Sequence, residues 1–448
     1  MKQRALLFIA ILSATAIQVV GQETKKWTLE DCINYALEQN IQLQQNKISL
    51  QESEIDVKSA KAALFPTLSF STSHNLVNRP YQEESSTVSG TEIITSTDKT
   101  TYNGSYSLSA QWTVWNGGQR LKEIKTQKMN RQIAGLTVDE TENSLQEQIT
   151  QLYVQILYAD ESVNINKGTV EVSQATFERG EQLYAAGSLS KADLAQLEAQ
   201  LGNDQYTLVQ SQSSLREYKL QLKQLLEIDG GEDFDLYIPQ LDDEKVLEIL
   251  PTVADVYASA LASRPEIQSS RISIESAKLA ISTAKAGYMP TISLSASSAS
   301  TTNSASSSGW SSQMKTGWNN MLGLSLSLPI YDQRSTKSNI QKAKLQYNSS
   351  QYDLISKQKE LYSTIEGFYL DALNSQQEYS AALLMLKSSQ ASFDMVNEQF
   401  NLGMKNIVEL LTEKNNLLSA KQQRVQAKYM AILNRALLDF YAGNEIEL

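Results

Sequence analysis

Catalysis by a nucleophile and its base, or by a metal held on imidazole and thiolate, needs several such side chains within reach of one another. In 448 residues this chain offers one histidine, His74, and one cysteine, Cys32. They fall on different predicted elements, so they cannot be combined into a triad or a Cys/His metal site, and a lone cysteine closes no internal disulfide. No glycine-rich loop of the phosphate-cradling kind occurs. An enzyme is therefore not expected, nor a cofactor, nor a resident metal. Carboxylates are the abundant ionisable type: Asp and Glu number 50 against 39 Lys and Arg, for a formal charge of −11. An acidic chain without a basic tract makes nucleic acid an unsuitable partner.

The elements that would position any site begin with a targeting segment. Lys2 and Arg4 precede the uncharged, largely apolar stretch from Ala5 to Val20, and Val19-Val20-Gly21 supplies a cleavage site before Gln22. Residues 1–21 read as a secretory signal peptide. The stretch is short for a spanning helix and is broken by Ser13, Thr15 and Gln18. Cys32, in Leu29-Glu30-Asp31-Cys32, lacks the small residues that precede a lipidated cysteine and reads as a buried or partly buried thiol at the start of a helix. Beyond Gly21 no uncharged apolar run is long enough to cross a bilayer as a helix. A membrane would have to be crossed as a barrel.

The remainder is written twice. Ala60 to Ser71, with Pro66-Thr67-Leu68-Ser69 inside it, matches Ala284 to Ser295, with Pro290-Thr291-Ile292-Ser293, at an offset of 224. Val114-Trp115-Asn116 matches Ile330-Tyr331-Asp332, and Tyr184-Ala185-Ala186-Gly187 matches Phe400-Asn401-Leu402-Gly403, both at an offset of 216. The first repeat spans 22–235 and the second 236–448, with a longer loop in the first, between residues 72 and 105.

Each repeat carries two stretches of strict apolar/polar alternation, the period of a strand with two unlike faces. They fall near 66–75 and 105–115 in the first repeat and near 290–298 and 321–330 in the second. An ordinary sheet with one wet face would alternate in the same way. Aromatic residues near the strand ends, Trp112, Trp115, Tyr288, Trp310, Trp318 and Tyr331, favour a membrane barrel with interfacial girdles. The segments 76–104 and 299–320, rich in Ser, Thr, Asn and Gly, read as long exposed loops. Four strands are too few to close a barrel, so several copies must share one; three copies would supply twelve strands.

Few glycines (19) and prolines (7) interrupt the rest, which suits long helices. Leu361, Ile365, Phe368, Ala372, Ser375, Tyr379, Ala382, Leu386, Ser389, Phe393, Val396 and Phe400 alternate steps of four and three, a coiled-coil seam. Subtracting 216 gives the seam Leu145, Ile149, Leu152, Ile156, Ala159, Val163, Asn166, Val170, Ser173, Phe177, Gly180 and Tyr184. A helix from Gly118 to Ala186 would run about 100 Å. Gly187 and Gly403 end these helices, and leucine-rich helices return, giving hairpins over 118–227 and 333–440. Between the repeats, residues 228–250 hold Gly230-Gly231 with Glu232, Asp233, Asp235, Asp242, Asp243 and Glu244, and read as a surface linker.

The order helix, strand, loop, strand, long helical hairpin, written twice behind a signal peptide, resembles the TolC family of outer membrane efflux channels over essentially all of residues 27–440. The resemblance rests on Ala-Lys-Ala-x-x-x-Pro-Thr-Leu/Ile-Ser at Ala60 and Ala284, on Val114-Trp115-Asn116-Gly117-Gly118, and on the tips Tyr184-x-x-Gly187 and Phe400-x-x-Gly403. It implies a mainly α fold with a small membrane β part: a homotrimer whose 12-stranded outer membrane β-barrel, surrounded by outer membrane lipid, continues into a periplasmic α-helical barrel. It also implies an outer membrane channel of a tripartite efflux or type I secretion system. Substrates would arrive through an inner-membrane transporter of RND, ABC or MFS type and a periplasmic adaptor, the latter contacting the tips at Gly187, Ser188, Leu189, Gly403 and Met404. The family's periplasmic gate, carried over through the matched glycines, places an aspartate at Asp193, a tyrosine at Phe400, an arginine at Lys405 and the first residue of an acidic pair at Glu409. The second acidic residue falls at Thr412. Phe400 has no phenolic hydroxyl and lysine is a point charge rather than a bidentate fork, so the resemblance implies a closed state held more weakly or by other residues. A periplasmic coiled-coil adaptor or structural protein would share the hairpins but has no need of apolar-out strands with aromatic ends.

Overall fold

The structure is a computed structural model that describes residues 26–81, 83–89, 92–96, 98–229, 234–239 and 246–446. The signal-peptide reading over 1–21, Gly230 to Asp233, and Asp242, Asp243 and Glu244 lie outside the described residues. Two compact units are formed, each by segments from both repeats: 1–44, 141–263 and 360–448 make the first, and 45–140 and 264–359 the second.

The first unit is helical. Helix α1 (Leu29–Gln39) starts at a capping box, in which the Thr28 hydroxyl accepts from Asp31 N–H and the Asp31 carboxylate accepts from Thr28 N–H. It buries Cys32 completely, in line with the expectation of a buried or partly buried thiol. Helices α3 (Gln119–Ala185) and α4 (Lys191–Leu225) form one hairpin; α8 (Ser335–Asn401) and α9 (Ile407–Ala442) form the other. Their cores follow the seams. Every seam position from Leu361 to Phe400 is buried or half-buried, and the first-repeat seam is covered as far as Gly180 and breaks only at Tyr184, which is 44% exposed. Ile149, Ile156, Leu157, Leu222, Leu226, Val425 and Leu437 make one core with residues of α1. Helix α5 (Val253–Ser263) packs against α9.

The inter-repeat segment differs from a plain surface linker. Asp235–Leu236 (β6) pairs in parallel with Lys26–Trp27 (β1), and Ile228, Leu236 and Val246 are buried. Apolar residues spaced among the acidic ones anchor the crossing to the core. Lys219 lies 3.0 Å from Asp235. Burial pushes the Asp235 carboxyl up, but the Lys219 hydrogen bond and charge outweigh it and hold the group below its ordinary value.

The second unit contains α2 (Ile41–Ala62) beyond Gln44, the neighbouring stretches of α3 and α8, α6 (Pro265–Lys285), and a four-stranded antiparallel sheet in the order β2-β5-β7-β8. The strands are Thr67–Asn78 (β2), Thr100–Asn116 (β5), Thr291–Asn303 (β7) and Asn319–Ser327 (β8). β8 stops three residues short of the expected end because Pro329 has no N–H for the ladder, leaving Ile330 and Tyr331 outside it. The loops are more ordered than their composition suggested. Residues 76–104 include a small hairpin, Ser85–Ser89 (β3) with Glu92–Ser96 (β4), and residues 299–320 include the short helix α7 (Trp310–Thr316).

Candidate functional site

The sheet presents two unlike faces, and the register fixes which residues share each. Leu68, Ala110, Ala296 and Leu322 form one cross-sheet row, and Trp112, Leu294 and Leu324 form the next. A bulge between Thr113 and Trp115 brings Trp115, rather than Val114, opposite Ile292 and Leu326. Alternation alone assigns Val114 to that row; the extra residue moves the register by one. The opposite face is a hydroxyl and amide ladder: Ser69 meets Ser109 at 2.9 Å and Ser73 meets Ser105 at 2.7 Å. No residue of the four strands is Asp, Glu, Lys or Arg. Leu68 and Leu324 are 71% and 74% exposed, a large apolar surface that water does not favour.

Aromatics gather at both ends of the strands. At the end where the long helices join, Trp112 donates to Leu64 C=O at 2.8 Å, and Tyr288 sits in a 3₁₀ turn, half exposed. At the other end, His74 stacks on Tyr102 and hydrogen-bonds its hydroxyl at 2.7 Å, while Tyr106 meets Trp310 edge-on. The lone histidine thus belongs to an aromatic cluster at the sheet's end. Trp310 opens α7 and Trp318 follows it, and both are exposed. This is the distribution of an interfacial belt.

The hairpin tips share one backbone design. Gly187 and Gly403 take φ of +73° and +74°, closed by Ser188 N–H to Leu183 C=O and Met404 N–H to Gln399 C=O, the paired-bond helix stop that favours glycine. A methyl group at either glycine would meet nothing within 4 Å. Ser190 then caps α4 by accepting from Asp193 N–H at 3.1 Å, and Asn406 caps α9 by accepting from Glu409 N–H at 2.9 Å. Asp193 and Glu409 occupy equivalent third positions, 216 apart. The Asp193 carboxylate accepts from the Ser190 hydroxyl at 2.7 Å, whereas Glu409 is ion-paired to Lys405 and also accepts from Asn406 N–H. Lys405, through its hydrogen bond first and its charge as well, holds the Glu409 carboxyl below its ordinary value. Thr412 turns its hydroxyl onto Val408 C=O. Phe400 is 6% exposed and packs with Leu197, Ile407, Leu410 and Leu411. Of the gate residues suggested by the sequence, the structure brings Lys405 onto Glu409, keeps Asp193 on its own cap, and commits Phe400 to the apolar cluster. Leu402 and Met404 at the second tip are exposed, and Leu189 at the first is half-buried.

A polar cluster escaped the sequence reading. Asp204 on α4 and Lys414 on α9 form an ion pair with side chains 4% and 7% exposed. Lys414 also donates to Ser173 on α3, Ser173 donates to Asp204, and Gln200 reaches the second Asp204 oxygen at 2.9 Å. Leu197, Phe393, Leu410 and Leu411 surround the group. One carboxylate therefore joins the two hairpins within dry packing. The signal lay in the pattern: Lys414 interrupts the leucine stripe between Leu411 and Leu417, and Asp204 interrupts that between Leu201 and Leu208. The repeat does not reproduce the pair, since the equivalents of Asp204 and Lys414 are Ala420 and Glu198.

A charge-free antiparallel sheet with an exposed apolar face and two open edges, on a chain whose helices also fold into two long hairpins, is the class of fold in which several copies share one membrane β-barrel. The family model described as outer membrane efflux protein matches residues 32–227 and 256–444. The chain belongs to that family, which places it among transport proteins of the outer membrane. It is 26% identical to outer membrane protein TolC of Escherichia coli over 155 residues, 33% of this chain and 31% of that protein. A match to proteases secretion protein PrtF of Dickeya chrysanthemi is fainter but longer, 19% over 450 residues, covering 99% and 93% of the two chains. The chain aligns with only about a third of the length of the TolC proteins it matches. Among solved structures it resembles CusC, with a TM-score of 0.78 at 17% identity over 94% of this chain and 92% of that one. It also resembles VceC of Vibrio cholerae, with a TM-score of 0.75 at 15% identity over 94% and 97%. These likenesses show the fold. Among the described residues no helix is long and apolar enough to cross a membrane.

Proposed function

We propose that the chain is the outer membrane channel of a tripartite efflux or type I secretion system, giving passive exit to substrates delivered through an inner-membrane transporter and a periplasmic adaptor. The observation that carries this reading is the sheet: apolar on one face, neutral and hydroxyl-lined on the other, with β2 and β8 unpaired at its edges. Open edges in lipid leave backbone groups unsatisfied, so closure needs further copies, and three of them supply the twelve strands of a barrel. The uncharged inner face gives a wide, neutral lumen, so discrimination between ions falls to the helical end. There, Asp193, Lys405 and Glu409, with Phe400 behind them, form the proposed gate, and the tip residues Gly187, Ser188, half-buried Leu189, Gly403 and Met404 meet the adaptor. The buried Asp204–Lys414 pair is the internal tie that keeps the two hairpins of one protomer together while the gate works.

The test is outer-membrane fractionation combined with deletion and complementation in the host. Recovery as a heat-labile trimer in the outer membrane, with loss of efflux or of protein secretion on deletion, is expected. Recovery only in soluble or inner-membrane fractions would replace the channel by a periplasmic adaptor. In complemented cells, Asp193→Ala or Lys405→Ala should raise entry of large antibiotics at normal expression.

A further inference from the structure

Helix α7 leaves a built feature on the apolar face of the sheet. On β7 the apolar-face run Ile292, Leu294, Ala296 is followed at the same parity by Ser298 and Ser300, a break that alternation does not explain. Both hydroxyls are used by what lies over them: Trp318 Nε1 donates to Ser298 at 2.8 Å, and Ser300 donates to Met314 C=O at 3.0 Å. These bonds hold α7 against the strand, and a hollow of about 430 Å³ remains beside it, lined by Phe70, Tyr106, Leu108, Met314, Lys315 and Trp318 among others. Lys315 is the only charged residue from 291 to 327. It is exposed and pairs with no carboxylate among the described residues. The hollow opens on the face that meets lipid, at the strand ends remote from the long helices and beside the interfacial tryptophans.

We propose that this hollow binds an acylated, phosphate-bearing glycolipid of the outer leaflet, one acyl chain lying against Phe70, Leu108 and Met314 and a phosphate seated on Lys315. The charge sets the headgroup: a single unpaired ammonium in an otherwise neutral stretch selects an anion. The position sets the leaflet, because the strand ends away from the helices face outward. The proposal rests on the outer membrane placement proposed above, and a lipid-binding measurement on purified protein can fail without touching the channel reading, which fractionation tests separately.

The experiment is native mass spectrometry of the detergent-solubilised full-length oligomer, titrated with diphosphoryl lipid A, with the same lipid stripped of phosphate, and with phosphatidylglycerol. Lipid A is expected to be retained at one molecule per chain. Lys315→Gln should weaken it about tenfold while leaving retention of the dephosphorylated lipid unchanged. Lys315 is an exposed side chain, so the variant keeps its fold, and an unchanged oligomer mass checks this directly. Equal retention of lipid A by wild type and Lys315→Gln would overturn the site. Retention of phosphatidylglycerol as tight as that of lipid A would overturn the glycolipid assignment.

Discussion

The first hairpin turns at Gly187 and the second at Gly403 with φ values one degree apart, the same pair of closing hydrogen bonds and the same capping position three residues on. There the likeness stops. Tyr184 is 44% exposed where its equivalent Phe400 is 6% exposed. Leu189 stands where the second repeat has Lys405, so Glu409 has an ion-pair partner four residues before it, while the Asp193 carboxylate is held by the Ser190 hydroxyl. Gly180, whose methyl derivative would come within 2.5 Å of Leu197 Cδ1, admits a leucine from α4 where the second repeat has Val396. Duplication has preserved the backbone, which the turn geometry dictates, and released the side chains. The second tip is the ion-paired, well-packed one, and the first has a carboxylate held by its own cap hydroxyl.

The largest way to disturb this difference lies just behind the tips. Lys414→Ala leaves Asp204 buried without its cation, and breaking a buried pair from one side costs about 3 to 5 kcal/mol. Heat stability of the purified oligomer should fall sharply, and adding Asp204→Ala should recover part of the loss; a double variant no better than the single one would remove the pair from the account. Next comes the aromatic contrast. Phe400→Ala should cost about 3 kcal/mol, as expected for a buried ring, while Tyr184→Ala should cost less than about 1 kcal/mol. Hydrogen exchange at the tip amides reads both, and equal losses would break the asymmetry. The glycines, by contrast, should behave alike: Gly187→Ala and Gly403→Ala each meet open space, so each pays only the left-handed backbone, about 1 to 2 kcal/mol. The smallest effect on stability belongs to Lys405→Gln, which removes one exposed pair four residues apart.

That last substitution has a clearer signature in pH. Glu409 has its carboxyl held below the ordinary glutamate value, so the charge and the capping contribution are present above that range and are lost only as pH falls through the lowered value. Lys405→Gln leaves the Asn406 N–H bond in place, so the loss should move up toward the ordinary glutamate value without reaching it, which reversal potentials measured across acid pH would follow.

Much of this architecture was legible in the sequence, for physical reasons that also explain the misses. A period of two and a seam of alternating fours and threes are imposed by strand and helix geometry, so β2, β5, β7 and the two hairpins could be read from residue type alone. The bulge at Val114 could not, because one extra residue leaves the composition alternating while shifting the register. Helix α7 was hidden in a Ser-rich stretch whose hydroxyls looked like loop residues; they serve to hold α7 through Ser298 and Ser300. At the tips the resemblance carries the gate onto Asp193, Phe400, Lys405 and Glu409. It could not show that Lys405 turns toward Glu409, since an i,i+4 neighbour and a distant partner compete for the same ammonium. The Asp204–Lys414 pair is not legible in the sequence because a single charge interrupting a leucine stripe is usually solvated, and its partner lies 210 residues away.

The central claim, an oligomeric channel whose ion preference is set at the helical tips and not in the barrel, is tested most directly by single-channel conductance of the purified oligomer in planar bilayers, with Glu409→Gln, Asp193→Asn and Lys405→Gln alongside. The account predicts a small, cation-preferring conductance that Lys405→Gln strengthens and the two carboxylate substitutions weaken. A cation preference untouched by all three substitutions, or no conductance at all from a correctly assembled trimer, would contradict it.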